Sequence, residues 1–274
     1  MVLVSVVTPL VALGFLAAAI ILVPRHWLFG LIVALGLAPV TIAVRQKRRK
    51  QPSGRSLSER DDPELFDILN RLCGLADLSR PEVVLSDHSH LNSWVVHLPG
   101  RPPRLHVTRG LREALTTDEL QAVLGHELAH IANRDALVMS VVGGPSRIML
   151  SASTGGGLGS AIVFGIGLFS QLGVTLLSRY RELAADAGSC VITGRPSALA
   201  SALLKVSGSL GQIPSEDLRA AAALNVFNLV EVESSSSLLR DSRLLRRITA
   251  THPPLQARLD ALEALERAQQ HGKP

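Results

Sequence analysis

The chain opens with two long apolar blocks and then turns to segments whose apolar positions recur at helical spacing. Met1–Val23 carries no charge and is almost wholly apolar. At about 1.5 Å per residue, a helix of that length crosses a hydrocarbon core of about 30 Å. Pro24-Arg25-His26 makes a short turn, and Trp27–Val44 is apolar again. No basic residue precedes the first block and no A-x-A site closes it cleanly, which argues against a signal peptide. The two blocks predict an N-terminal transmembrane hairpin. Farther on, Leu65, Ile68, Leu69, Leu72 and Leu75 predict a helix over Asp61–Leu78, with Pro63 in its first turn. Pro81–Leu85 reads as a strand. Leu91–Val96 and Arg104–Val107 read as two more, around the turn Pro99-Gly100-Arg101-Pro102. Leu120, Val123, Leu124, Leu128 and Ile131 mark an amphipathic helix, with Thr116 or Thr117 as N-cap.

Ala136–Leu150 is apolar but short, and the pattern breaks at Gly143-Gly144-Pro145-Ser146-Arg147. Ser151–Ser160 is a Gly/Ser-rich connection, and Ala161–Leu177 lies near the lower length limit for a membrane span. Ser178–Thr193 and Pro196–Val206 read as helices, and Ser207–Ser237 as a loop. Leu255, Leu259, Leu262 and Leu265 define a last helix to about Gln269, capped by Thr251-His252-Pro253-Pro254. The expected fold is mainly α with a small β-sheet or hairpin. Its organisation is a transmembrane hairpin (1–44), a basic linker (45–60) and a main domain (61–274), with a hydrophobic insertion at 136–177 able to form a second membrane hairpin.

Charge adds orientation. The net charge is +5, and Arg45-Gln46-Lys47-Arg48-Arg49-Lys50 directly follows the second apolar block. By the positive-inside rule this places the N-terminus and all that follows Arg45 in the cytoplasm, in a multi-pass protein of the inner membrane. Aromatic residues make up 3% of the chain and do not interleave with basic ones, so nucleic acid is not the expected partner. Cys73 and Cys190 are far apart and suggest neither a thiolate metal site nor a disulfide framework.

The chemistry sits on the helix around Val123. Gly125-His126-Glu127-Leu128-Ala129-His130 contains H-E-x-x-H. His126 and His130 lie one turn apart on one face and can both reach one zinc ion. Glu127 falls inside the apolar arc, where a carboxylate needs a partner or a task, and can take a proton from a water activated by the metal. A catalytic zinc needs a third protein ligand. Glu182, with Asp186 one turn on, is the candidate; on spacing alone the two read equally as a surface acid pair balancing Arg179 and Arg181. Asn133 or Asp135 can orient a ligand imidazole, or simply end the helix. His252 or Arg258 can donate to a developing oxyanion, or serve capping and packing. His88, His90, His97 and His106 match no ligand spacing and read as solvated or core residues. His126 and Glu182 share an ion only if they lie on one side of the membrane, so the chain between them crosses twice or not at all.

Gly125-His126-Glu127-Leu128-Ala129-His130-Ile131-Ala132-Asn133-Arg134-Asp135 resembles the HtpX-type membrane zinc metalloproteases, which are gluzincin-like. Ser178-Arg179-Tyr180-Arg181-Glu182-Leu183-Ala184-Ala185-Asp186 and Thr251-His252-Pro253-Pro254 extend the resemblance over nearly the whole chain. It implies one zinc per chain on His126, His130 and Glu182, Glu127 as general base, and Asp186 behind the ligands. It further implies a stress-response endopeptidase that cleaves misfolded or damaged membrane proteins at a cytoplasmic active site. By analogy Asn92 lies at a substrate-binding edge strand, which here reads Asn92-Ser93-Trp94-Val95-Val96-His97. The alternatives are a zinc-stabilised scaffold or holdase without proteolysis, against which the intact Glu127 speaks, and a protease that signals by cutting a regulator.

Overall fold

The computed structural model describes residues 54–97, 101–152, 158–210 and 252–272. The N-terminal hairpin, the basic cluster at 45–50, most of the Ser207–Ser237 stretch and Thr251 lie outside the described residues. The elements run β1 (Arg55–Ser56), α1 (Pro63–Leu75), β2 (Glu82–Ser86), β3 (Ser93–Val96), β4 (Arg104–Thr108), α2 (Arg109–Ala114), α3 (Thr117–Ala132), α4 (Asp135–Ala152), α5 (Leu158–Thr193), α6 (Pro196–Leu210) and α7 (Leu255–Gln270). The fold is mainly α with a small mixed sheet, as the hydrophobic pattern predicts.

The sheet has strand order β1-β2-β4-β3. β2 and β4 run parallel, with Val84 opposite His106, whereas β3 returns antiparallel to β4, with Trp94 opposite His106. Among the described residues β3 is therefore an edge strand. The stretch expected as a polar linker contributes to the sheet: Arg55 and Ser56 pair antiparallel with Leu85 and Val84. This pairing uses backbone groups, so two exposed polar residues gave no periodic signal.

α3 is the centre of the core. Thr116 is its N-cap and forms a capping box with Glu119: the Glu119 N–H meets the Thr116 hydroxyl, and the Glu119 carboxylate accepts from the Thr116 N–H at 2.8 Å. Twelve of its sixteen residues are buried, which a helix can sustain only if elements pack all round it. α1, β3 and α6 do so. Leu65 and Leu69 of α1, Leu105 of β4, Leu120, Leu124 and Leu128 of α3, and Leu199 and Leu203 of α6 are all fully buried there. α3 ends where Arg134 takes a left-handed φ of 53°, turning the chain into α4.

Residues 138–174 belong to a second compact unit. Within it α4 and α5 form an antiparallel hairpin. A Cβ on Gly143 would meet Val174, Ser146 donates to Gln171 at 3.0 Å, and Gly167 abuts Met149 and Leu150. The expected break at Gly143–Arg147 does not occur, and α4 runs through Pro145. Proline removes one ladder bond; here contacts to α5 on either side of Pro145, from Gly143 and Ser146, hold the helix on course. The two segments expected at Ala161–Leu177 and Ser178–Thr193 are one helix of 36 residues, about 54 Å long. It is the one helix among the described residues long and apolar enough to cross a membrane. Ile162, Phe164, Leu168, Phe169 and Leu176 stand exposed along it. Gly194, at φ 69°, then turns the chain into α6. α7 begins at Pro254 without a side-chain cap, so His252 does not serve the capping role open to it in the sequence.

Candidate metal centre

His126 and His130 project from one face of α3 with ring centroids 4.6 Å apart and rings nearly perpendicular. Their Nε2 atoms are 3.0 Å from each other. Glu182 of α5 joins them: its Oε2 is 3.8 Å from His126 Nε2 and its Oε1 is 3.6 Å from His130 Nε2. The three candidate ligand atoms all lie within 4.8 Å of one another, the one such group found among the described residues.

Two glycines let the helices come this close. A Cβ on Gly188 would lie 2.7 Å from the Ala129 Cβ, and one on Gly125 would lie 2.9 Å from the Thr193 methyl. Both separations are below van der Waals contact, so the crossing depends on residues without side chains. Ser189 locks the crossing by donating to the Ala122 carbonyl at 2.6 Å. α3 and α5 then hold the histidines and Glu182 at one height.

Each imidazole is oriented from behind. His126 Nδ1 lies 2.9 Å from Asp186 Oδ1, and His130 Nδ1 lies 2.5 Å from Asp135 Oδ2. A carboxylate at Nδ1 places the ring proton there and leaves Nε2 as a lone-pair acceptor. Both Nε2 lone pairs and the Glu182 carboxylate then converge on one small volume. Three acceptors with no donor among them repel unless a cation lies between them, and the N,N,O set is one that suits zinc. The residues fit a divalent metal on this ground.

Each carboxylate is held by an arginine. Arg258 of α7 makes a fork onto Asp186, from Nε at 2.8 Å and from Nη2 at 2.6 Å. Arg181 pairs with Asp135. Burial opposes the Arg258 charge, but the Asp186 carboxylate, with Glu182 and Glu127 beyond it, lifts its pKa above the ordinary guanidinium value.

Some sequence expectations change in this light. Arg258 is 1% exposed; two of its nitrogens grip Asp186 and its Nη1 lies 3.9 Å from Glu182 Oε2, the pairing a buried guanidinium needs. His252 Nδ1 points at Glu182 Oε2, 3.2 Å away. Asn133 is the exposed C-cap of α3, and the left-handed turn at Arg134 brings Asp135, not Asn133, back to the His130 ring. Asn92 is buried just ahead of β3, its N–H donating to Thr108 Oγ1 at 3.0 Å. Of the strand-region histidines, His106 stacks on Trp94 at 4.8 Å, and burial pushes its pKa down to about 4, so it stays neutral.

The structure also adds residues that the pattern did not mark. Glu127 is 3% exposed, and Ser93 of β3 donates to its Oε1 at 2.7 Å. Ser93 carries no sequence signal, since a serine in a strand is ordinary. Gly125 and Gly188 do carry one: each is a glycine inside a helix, where it costs stability and calls for a packing reason.

Comparison with known proteins agrees with this geometry. Residues 59–266 match peptidase family M48. The chain is 36% identical to protease HtpX homolog 2 of Methanosarcina acetivorans, over 77% of this chain and 75% of that one. It is 37% identical to the protease HtpX homolog of Moorella thermoacetica, with the same coverage. Against protease HtpX homolog 1 of Streptomyces coelicolor the identity is 36%, over 92% of this chain and 87% of that one. In fold it is similar to S. mikatae Ste24p, with a TM-score of 0.51 and 20% identity, covering 86% of this chain and 57% of that structure. A buried H-E-x-x-H helix crossed by a glutamate-bearing helix, in a chain matched over most of its length, thus belongs to peptidase family M48 as an HtpX-type metalloprotease.

Proposed function

We propose that the chain is a multi-pass membrane endopeptidase with one zinc held by His126, His130 and Glu182. In this reading its active site faces the cytoplasm and its substrates are misfolded or damaged membrane proteins. The observation that carries it is the convergence of three acceptors beside a buried carboxylate, Glu127.

Zinc bound there supplies Lewis-acid polarisation of the scissile carbonyl and of the attacking water. Glu127 takes the water's proton and returns it to the leaving amine. Asp186 and Asp135 fix both imidazoles in the tautomer that leaves Nε2 unprotonated. His252 steadies Glu182. β3, the edge strand of the described sheet and packed on α3, offers its open side to an extended peptide, with Asn92 just ahead of it.

Two features support the membrane setting. The antiparallel α4–α5 hairpin returns the chain to the side it left, as the shared site of His130 and Glu182 requires. The apolar part of α5, from Gly159 to about Leu177, is the segment suited to lipid, and Arg45–Lys50 favours the cytoplasm for the catalytic side.

The test is Glu127→Gln in the full chain, reconstituted in vesicles with a destabilised membrane-protein substrate. We expect about one zinc per chain in both proteins and cleavage only with Glu127. Full activity in the variant would overturn the mechanism. Cleavage of a soluble protein such as casein but of no membrane substrate would overturn the substrate class.

A further inference from the structure

The proposed general base is a long, flexible side chain, yet a proton transfer needs its carboxylate held in one plane. Glutamate reaches the site through three torsions, the last of them broad. In this chain a serine constrains it. Ser93 is 1% exposed and its hydroxyl donates to Glu127 Oε1 at 2.7 Å. Among the described residues it is the one hydrogen-bond donor found on that carboxylate.

Ser93 is itself held firmly. It opens β3 opposite Val107 of β4. The residue before it is clamped on both backbone groups, with the Asn92 N–H on Thr108 Oγ1 and the Thr108 N–H on the Asn92 carbonyl, each at 3.0 Å. Thr108 in turn caps α2. The hydroxyl is thus carried on a braced strand, and a serine has only one proton to donate. With that proton on Oε1, the other oxygen, Oε2, is left for the reaction.

Resting on the protease reading, we propose that Ser93 is a positioning residue for proton transfer: it pins Glu127 Oε1, sets the plane of the carboxylate, and makes Oε2 the oxygen that receives the proton of the attacking water. No bond to Ser93 forms or breaks. Its hydroxyl stays a donor while Oε2 gains the proton and later releases it to the amine.

The experiment uses the full chain in vesicles, with Ser93→Ala and Ser93→Thr. A base misplaced by about 1 Å loses on the order of a hundredfold in rate. We expect kcat of Ser93→Ala to fall roughly ten- to a hundredfold, with KM and zinc per chain unchanged. Ser93→Thr keeps a hydroxyl on a residue that suits a strand, and should recover most of kcat. A second measurement needs neither metal nor turnover: a double-mutant cycle on the Tm of the metal-free protein, pairing Ser93→Ala with Glu127→Ala. The expected result is a Tm loss from Ser93→Ala that vanishes once Glu127 is alanine. Additive Tm shifts, an unchanged kcat, or a raised KM at constant kcat would each overturn the assignment. Wild-type protein that loads zinc but cuts nothing would instead refute the protease reading itself, while the cycle would still report on the contact.

Discussion

The two histidines of H-E-x-x-H are held by relays of the same chemistry and different construction. His126–Asp186–Arg258 and His130–Asp135–Arg181 each run imidazole, carboxylate, guanidinium. The first is sealed: His126, Asp186 and Arg258 are each 1% exposed, and the arginine grips through two bonds. The second is shallower, with Asp135 at 7% and Arg181 at 9% exposure. They also differ in chain distance. Asp135 is only five residues from its imidazole, His130, whereas the carboxylate that serves His126, Asp186, comes from another helix, α5. The first relay staples α3, α5 and α7 together, while the second ties the α3–α4 corner to α5 through Arg181. Burial decides what each is worth, because a charge sealed from water cannot lose its partner cheaply.

This contrast predicts unequal damage. Arg258→Met should destabilise the protein by about 3–5 kcal/mol, since it strands the Asp186 charge in the interior. Zinc affinity should drop roughly 10–100-fold as His126 loses its brace. Arg181→Met also unpairs a buried carboxylate, but Asp135 is less enclosed than Asp186, and the loss should be smaller, about 1–3 kcal/mol. The checks are chemical denaturation and competitive zinc titration on both variants. Equal losses would break the contrast and mean that the depth of burial does not set what each relay contributes.

The same division explains what could be read in the sequence. H-E-x-x-H lies within one turn and a half, so its spacing alone places both imidazoles. Glu182 and Asp186 could be nominated but not placed, because spacing within α5 says nothing of where α5 crosses α3. That crossing is set by Gly125, Gly188 and Ser189, three small residues that no periodicity singles out. Ser93 and Arg258 are farther still from any local pattern: each meets its partner only after the sheet and α7 have packed. The fold shows the same limit. The strongly periodic helices α1, α3 and α7 appear where apolar spacing puts them. β1 escaped notice because two polar residues join a sheet by backbone alone, and α4 ignores a Gly-Gly-Pro break that tertiary contacts with α5 override.

A smaller effect sharpens the comparison at the crossing itself. Gly188→Ala places a methyl 2.7 Å from the Ala129 Cβ, and overpacking of this kind costs about 1–3 kcal/mol. Because α5 carries Glu182, the strain should reach the metal as well, with zinc affinity falling several-fold. Ala129→Gly in the same chain removes the opposing carbon and should return much of that affinity, although it adds a helix glycine penalty of about 1 kcal/mol. Affinity that stays low in the double variant would show that the crossing is fixed elsewhere, for instance at Ser189.

The smallest effect concerns an ion pair remote from the metal, which calibrates the two relays against a half-solvated partner. Glu119 is buried near the start of α3, accepting from Ser201 at 2.6 Å and from Lys205 at 2.7 Å. Burial alone would raise its pKa, but Lys205, Ser201 and Thr116 together bring it down from 4.5 to about 2. The unfolded chain therefore binds the extra proton between these two values, and stability rises with pH across that window. The contribution is complete above pH 4.5 and is lost as the pH falls through about 2. Lys205 is 42% exposed, so solvent screens the pair and its share should be only about 1 kcal/mol. Lys205→Met should therefore lower stability slightly at neutral pH and flatten the slope of stability between pH 4.5 and 2, measured by denaturation across a pH series. An unchanged slope would assign the low pKa to the Ser201 and Thr116 hydrogen bonds. The pair would then be a hydrogen-bonded cap, and the charged anchors of α3 would be those at its metal-binding end.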